Sequence, residues 1–304
     1  MFAAPPSLEL ETFSVLPDVF RMKGRRSDWA DVNKSGQFLH SFLEGPAFDR
    51  DGILHVVDIP FGRIFRVDGS GTWELAAEYD GEPNGLAFHA DGRLFIADYK
   101  HGILQMDRSG AISPVLSRVR AERFRGCNDL TFDTRGNLYF TDQGQSGHHD
   151  PSGRVYRLSA EGQLDCLLAN IPSPNGLVLN QAETILYLSV TRANAVWRLP
   201  LLEGGRLTSK VGTFLQLSGS LGGPDGLAMD KEDGLVVAHS GLAVWLFDRL
   251  GEPSLRLRPQ TGPFTTNVAF GIHDPSNLYV TEASSGTILR AAMPKPGRSL
   301  FSHS

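Results

Sequence analysis

The sequence predicts an all-β chain folded as a six-bladed β-propeller, and three observations carry that prediction. A short polar residue followed by an apolar strand, a turn and a second strand recurs at Glu44, Asn84, Asn128, Asn175, Asp225 and Thr266. The starts lie 40, 44, 47, 50 and 41 residues apart, inside the roughly 40–50-residue period of four-stranded blades. Each unit also has room for four short antiparallel strands separated by turn residues.

Taken in order, the N-terminal run SLELETFSVL alternates apolar and polar residues over Leu8–Val15, which is strand periodicity. The second repeat shows a whole blade: Leu86–His89, Leu94–Asp98, Ile103–Asp107 and Ile112–Leu116, punctuated by Asp91-Gly92 and Ser109-Gly110, both hairpin-turn pairs. The last repeat has three obvious strands before Met293-Pro294-Lys295-Pro296. The N-terminal strand is therefore expected to supply its fourth, tying the ring shut and covering edges that would otherwise be open. Phe48, Phe88, Phe132 and Phe270 recur four residues after the ring position, and Trp197 and Trp245 fall at matching third-strand positions. That regularity predicts packing between blades, not binding.

Composition agrees with one domain over residues 1–304. Glycine and proline are spread through the repeats, and no linker or low-complexity tract divides the chain. A net charge of −5 and a pI near 6.0 argue against nucleic acid as a partner; Lys23, Arg25 and Arg26 read as a solvated loop. Residues 1–15 lack a basic start and long apolar core, so no secretory leader is expected. No run approaches a membrane span. Cys127 and Cys166 are the only cysteines, which excludes a disulfide framework and predicts reduced thiols in a cytoplasmic protein. Cys127 reads as a small buried packer, since no histidine is paired with it. Nothing in the residues fixes an oligomeric state.

In a propeller the first strand of every blade lines the central channel, so the repeat converts periodicity into a ring of side chains. Oxygen donors from Glu44, Asn128, Asn175 and Asp225 are expected to converge there, and two carboxylates in a narrow channel repel one another unless a cation sits among them. Oxygen-only ligands favour Ca²⁺, Mg²⁺ or Mn²⁺ over Zn²⁺, which prefers nitrogen and sulfur; one divalent ion, Ca²⁺ foremost, is the expected cofactor. A second ring, Asp58, Asp98, Asp142, Ser189, His239 and Glu282, ends the second strands on the same face. Each of these is at least as well explained as a turn cap bonding backbone N–H groups as by substrate contact. Asp142 opens the longer loop TDQGQSGHHDPSG, which carries His148 and His149 above the channel. Adjacent histidines seldom share one ion, and the D-x-D-G run at Asp49–Gly52 lacks the further acids of an EF-hand. No G-x-S-x-G, C-x-x-C, G-x-G-x-x-G or G-K-[ST] motif occurs, so serine-hydrolase, redox, dinucleotide and nucleotide readings lose support.

The repeats, with SFLEGPAFDRDG early, SPNGLVLN in the middle and GGPDGLAMD late, resemble the gluconolactonase family, which includes senescence marker protein and luciferin-regenerating-type enzymes. The resemblance covers roughly positions 15–292. It implies that Glu44, Asn175 and Asp225 hold a divalent metal, and that Asn128–Asp129 lie near metal and substrate. Some members carry a substrate-contacting arginine just before that pair; here Arg125 stands three positions before Asn128, with Gly126 where some relatives have the arginine. Arg125, Asn128, Asp129, Asp142 and His148 are thus the candidate substrate contacts.

The expected chemistry is metal-dependent hydrolysis of a lactone, with a sugar aldonolactone the expected substrate, to the hydroxy acid. The metal would act as Lewis acid or lower the pKa of a water. Asp225 is the expected general base, a role the resemblance also implies, and Glu44 a pure ligand. Two rival expectations are a non-enzymatic propeller that binds a partner or buffers calcium, and a promiscuous arylesterase or phosphotriesterase.

Overall fold

In a computed structural model describing residues 4–303, the chain is a six-bladed β-propeller of four-stranded antiparallel blades. Blade 1 comprises Leu43–Phe48, Leu54–Asp58, Arg63–Val67 and Trp73–Glu78. Blade 2 comprises Pro83–Phe88, Leu94–Asp98, Gly102–Met106 and Ile112–Leu116. Its last three strands match the sequence reading to within a residue; the first begins three residues earlier and takes in the ring residue Asn84. Blades 3, 4 and 5 begin with Cys127–Phe132, Pro174–Leu179 and Gly223–Met229. Blade 6 comprises Thr265–Phe270, Asn277–Glu282 and Thr287–Ala292.

The chain's beginning closes the ring, though not as one strand. Strand β1 (Ser7–Glu9) adds in parallel to Pro253–Arg258, giving blade 5 a fifth strand. Strand β2 (Glu11–Val15) pairs antiparallel with Thr287–Ala292 and is the expected fourth strand of blade 6. Leu10, between them, is 2% exposed and packs between the two blades. Residues 1–3, on which part of the leader reading rests, lie outside the described range. No helix among the described residues is long and apolar enough to cross a membrane.

The core is divided into six clusters, one in each gap between neighbouring blades. Val57 and Ile64 meet Leu86 and Ile96 between blades 1 and 2, and Leu43 and Phe65 meet Leu16 and Ile288 where blade 1 faces blade 6. Each blade buries both faces against its neighbours, which is why strands such as Leu54–Asp58 and Leu235–Ser240 are buried at every position.

One device recurs in all six first strands. The pairing register slips at the ring residue: between Glu44 and Ala47, Pro83 and Gly85, Cys127 and Leu130, Pro174 and Leu177, Pro224 and Leu227, and Thr265 and Val268. Such a bulge bends the strand and re-aims a side chain, so the ring residues turn toward the mouth of the channel while the strand below keeps its alternation. After the bulge the strands crowd the axis. A Cβ on Gly176 would stand 2.4 Å from the Asp225 carbonyl oxygen, and one on Gly226 would overlap the Asn267 side chain at 1.9 Å. Glycine is required at both places by close approach.

Candidate functional site

The ring residues line one cavity of about 630 Å³ at the mouth of the channel, with Glu44, Asn84, Asn128, Asn175 and Asp225 on its floor. Thr266, at the equivalent place in blade 6, turns away, its hydroxyl donating to the Leu43 carbonyl at 2.8 Å. Asn267 takes its place one residue on and donates Nδ2–H to Glu44 Oε2 at 2.9 Å. Glu44 also accepts from the Gly45 backbone. Asn175 hydrogen-bonds the Asp225 carboxylate, and Asn128 donates to Gln143 Oε1 at 3.0 Å, which passes the chain on to Ser173 at 3.0 Å. The amides are thus oriented by neighbours before anything binds.

The carboxylates are electrostatically frustrated. Burial, and then the charges of Asp225 and Asp129, push Glu44 well above the ordinary carboxylate range. Burial also pushes Asp225 up to about 7; Lys34 and the Asn175 hydrogen bond pull against that shift, and Asp129 adds to it. Asp225 is half-buried, its carboxylate reaching the cavity while protein packs it on the remaining sides. Asp129 is raised to about 7, again by burial, against hydrogen bonds from the Leu130 N–H at 2.8 Å and from Asn267.

Asp129 and Asn267 form a matched pair. Blades 3 and 6 are three steps apart in a ring of six and so face each other across the axis. Each residue follows the ring position, where the other four blades have Gly45, Gly85, Gly176 and Gly226. Each accepts the next backbone N–H at 2.8 Å, and each has its own N–H received by a threonine, Thr141 or Thr281, at 3.1 Å. The two side chains fill the waist that four glycines leave open. Both line a second cavity of about 410 Å³ below the waist, so Asp129 acts on the mouth from beneath.

The remaining predicted residues are dispersed. His148 lines the mouth and is exposed. Arg125 does not line the cavity; its guanidinium is 3.9 Å from Asp150. Asp142, 2% exposed, accepts the Arg125 and Gly126 N–H groups at 2.8 and 2.9 Å and so fixes that turn. Asp58, Asp98 and Glu282 likewise accept backbone N–H groups, from Phe42, Glu82 and Ser284 among others. Four of the six second-ring residues are therefore caps; Ser189 is buried with its hydroxyl unpartnered, and His239 bonds Asn194 at 2.9 Å, burial pulling it down to about 4. Cys127 packs between blades 2 and 3, where burial drives its thiol well above the usual range.

Three contributors were not read from the sequence. A one-and-a-half-turn helix, α1 (Asp28–Asn33), capped by Ser27 at 3.4 Å, sits over the mouth and packs Trp29 against Phe42, the rings tilted by 51° with centres 4.9 Å apart. Lys34, following it, lines the cavity with its Nζ 4.4 Å from the Phe42 ring centre. Arg192, in the short turn Thr191–Ala193, lines the same cavity.

Residues 42–284 match the family described as SMP-30/Gluconolactonase/LRE-like region. The chain belongs to that family. Lactonase drp35 from Staphylococcus aureus (strain MRSA252) is 32% identical to this family member over 238 residues, covering 74% of the chain and 71% of the relative. Among solved structures, a gluconolactonase from Xanthomonas campestris superposes with a TM-score of 0.75 at 22% identity, over 97% of this chain and 99% of that one. A calcium-binding regucalcin from Agrobacterium tumefaciens str. C58 gives 0.76 at 22% identity, over 98% of both chains. Likeness at that identity speaks for the shared propeller.

Proposed function

We propose that this family member hydrolyses a lactone to its hydroxy acid at the upper mouth of the propeller, with one divalent cation, Ca²⁺ foremost, held by Glu44, Asn175 and Asp225. The family and the drp35 relative make the chain a carboxylic-ester hydrolase of the lactonase type. The observation that carries the site is the convergence of Glu44, Asp225 and the oriented amides of Asn128 and Asn175 in one cavity.

The residues fit a hard cation. Two carboxylates, both raised chiefly by burial and both facing the charge of Asp129, stand beside amide oxygens with no sulfur or imidazole in the set. Removing that mutual repulsion favours binding, and all-oxygen donors suit Ca²⁺, Mg²⁺ or Mn²⁺. When bound, the ion would supply Lewis acidity toward the lactone carbonyl.

The chain's own contribution is proton transfer and placement. Asp225 accepts a proton as water adds to the carbonyl carbon, and returns it to the ring oxygen as the acyl–oxygen bond breaks. Water and lactone thus balance as hydroxy acid, and a carboxylate placed beside the reacting carbonyl serves both directions of transfer. Glu44, held by Asn267 and the Gly45 N–H, cannot swing to share that task and serves as a ligand. Asn128, fixed by Gln143, is aimed at substrate hydroxyls. A polyhydroxylated, sugar-derived aldonolactone fits a cavity lined by amides and hydroxyls such as those of Ser146, Ser173 and Ser240.

The test is proton release from glucono-1,5-lactone by chelated protein, with Ca²⁺, Mg²⁺, Mn²⁺ or Zn²⁺ added back. Turnover restored by a cation and lost in Asp225→Asn is expected. Full turnover by exhaustively chelated protein would overturn the metal requirement, and silence toward lactones with cation bound would overturn the reaction.

A further inference from the structure

We propose that the substrate is an anionic lactone, its carboxylate or phosphate held in the upper cavity by Lys34 and Arg192. This rests on the lactonase reading and adds the charge of the group that the reaction leaves untouched.

Lys34 leaves α1 and lays its ammonium over the Phe42 ring at 4.4 Å, with the Trp29 ring 5.8 Å away. Arg192 enters from the Thr191–Ala193 turn, its stem close to Gly147 of the histidine loop. Among the described residues neither cation has a carboxylate within ion-pair distance. Neighbouring loops on this face treat their cations differently: Lys100 is paired with Asp80, Arg125 with Asp150 and Arg154 with Glu122. Arg192 is exposed and Lys34 half-buried, so two cations without a carboxylate partner stand open to an anion entering the cavity.

In the free chain the two cations face Asp225, whose anionic form both favour. A divalent cation engaging Glu44 and Asp225 would cancel those two negative charges and withdraw the compensation. Lys34 and Arg192 then contribute two positive charges against the single one of Asp129 beneath the floor. A lactone with an anionic substituent restores the balance, and its hydrocarbon face meets Trp29 and Phe42. A neutral aldonolactone leaves both cations without a partner. Charge-assisted hydrogen bonds to a carboxylate or phosphate are the interaction these side chains make best.

The experiment compares kcat/KM of the Ca²⁺-loaded protein for glucono-1,5-lactone, glucaro-1,4-lactone and 6-phosphoglucono-1,5-lactone. Calorimetric binding of glucose, glucuronate and glucose 6-phosphate is measured in parallel. The two anionic arms separate carboxylate from phosphate. At least one anionic lactone should be preferred about tenfold or more, the size of one charge-assisted contact. The preference should collapse in Lys34→Met and Arg192→Met and persist in Lys34→Arg. A neutral lactone used as well as both anionic ones would overturn the proposal while leaving hydrolysis standing, as would a preference surviving in the double Met variant. Without turnover of any lactone, the binding arm still decides: tighter binding of glucuronate or glucose 6-phosphate than of glucose supports the anion site although the lactonase reading fails. Equal binding of all three overturns it.

Discussion

The two mouths of this propeller are built from the same six strands and have opposite chemistry. At the upper mouth the ring reads Glu44, Asn84, Asn128, Asn175, Asp225 and Thr266; four residues further along it reads Phe48, Phe88, Phe132, Leu179, Met229 and Phe270. Four residues of strand span about 13 Å, so the channel passes from donor oxygens to hydrocarbon within that distance, with Asp129 and Asn267 between. The lower cavity is then roofed by the chain's last segment. Arg298 donates to the Leu179 and Asn180 carbonyls at 2.5 and 2.9 Å and to Glu183 at 3.0 Å, and Phe301 packs 5.7 Å from Phe132. The upper mouth crowds raised carboxylates and leaves Lys34 and Arg192 without ion-pair partners among the described residues, whereas the lower one satisfies or covers its polar groups. Polar groups held ready for a ligand mark the working end, and satisfied ones mark the structural end.

Breaking the upper mouth should have the largest effect. Asp225→Asn is expected to lower kcat for lactone hydrolysis by ~10³-fold, within the range a positioned general base supplies; an unchanged rate in the indicator assay would move the chemistry elsewhere. The matching change below, Arg298→Ala, removes the ion pair to Glu183, which Thr134 still bonds, and two donors to carbonyls, and should cost about 1–3 kcal/mol in urea unfolding. Its kcat/KM should stay within about twofold of wild type, the most a well-separated stability change transmits. A loss of activity as large as that of Asp225→Asn would erase the division between the two ends.

The comparison sharpens with the cation removed. Asp225 titrates near 7 when folded and near an ordinary carboxylate value when unfolded, so folding takes up a proton between about pH 4 and 7. Stability from this group is full below pH 4 and declines as pH rises through 7. Chelated Asp225→Asn should therefore be more stable than chelated wild type by ~1–3 kcal/mol at pH 8, with the gap closing toward pH 4. A constant gap across that range would show that Asp225 is not strained by its charge. Smallest of the four, Glu44→Gln should weaken Ca²⁺ binding about tenfold by calorimetry, as loss of one ligand charge does, while leaving the fold intact.

Much of this was legible because the fold repeats. Six copies of one turn-and-strand pattern fix the blade count, and the ring residues Glu44, Asn128, Asn175 and Asp225 meet in one cavity because the same bulge precedes the same alternation each time. What did not repeat was harder to read. Lys34 and Arg192 sit in connections with no counterpart in other blades, so no stacking of sequence brings them to the mouth. The division of the N-terminal run into β1 and β2 has no turn signal, only Leu10 buried between two blades. Asn267 did leave a trace: where the stacked repeats have glycine after the ring residue, NDLTF and TNVAF carry a polar side chain. In the second ring Asp58, Asp98, Asp142 and Glu282 settle as caps, a choice that depends on backbone N–H directions.

The paired ends of the chain also bear on how the molecule comes into being. Glu11 finds Arg290, and Ser7 finds Arg256, so during synthesis residues 7–15 wait until more than two hundred further residues have emerged. Until then blades 5 and 6 present bare edges and the alternating apolar face of residues 8–15 has nowhere to lie, a period in which another nascent copy could pair in its place. The seam that completes the ring is thus also the step at which a newly made chain is most exposed to mispairing.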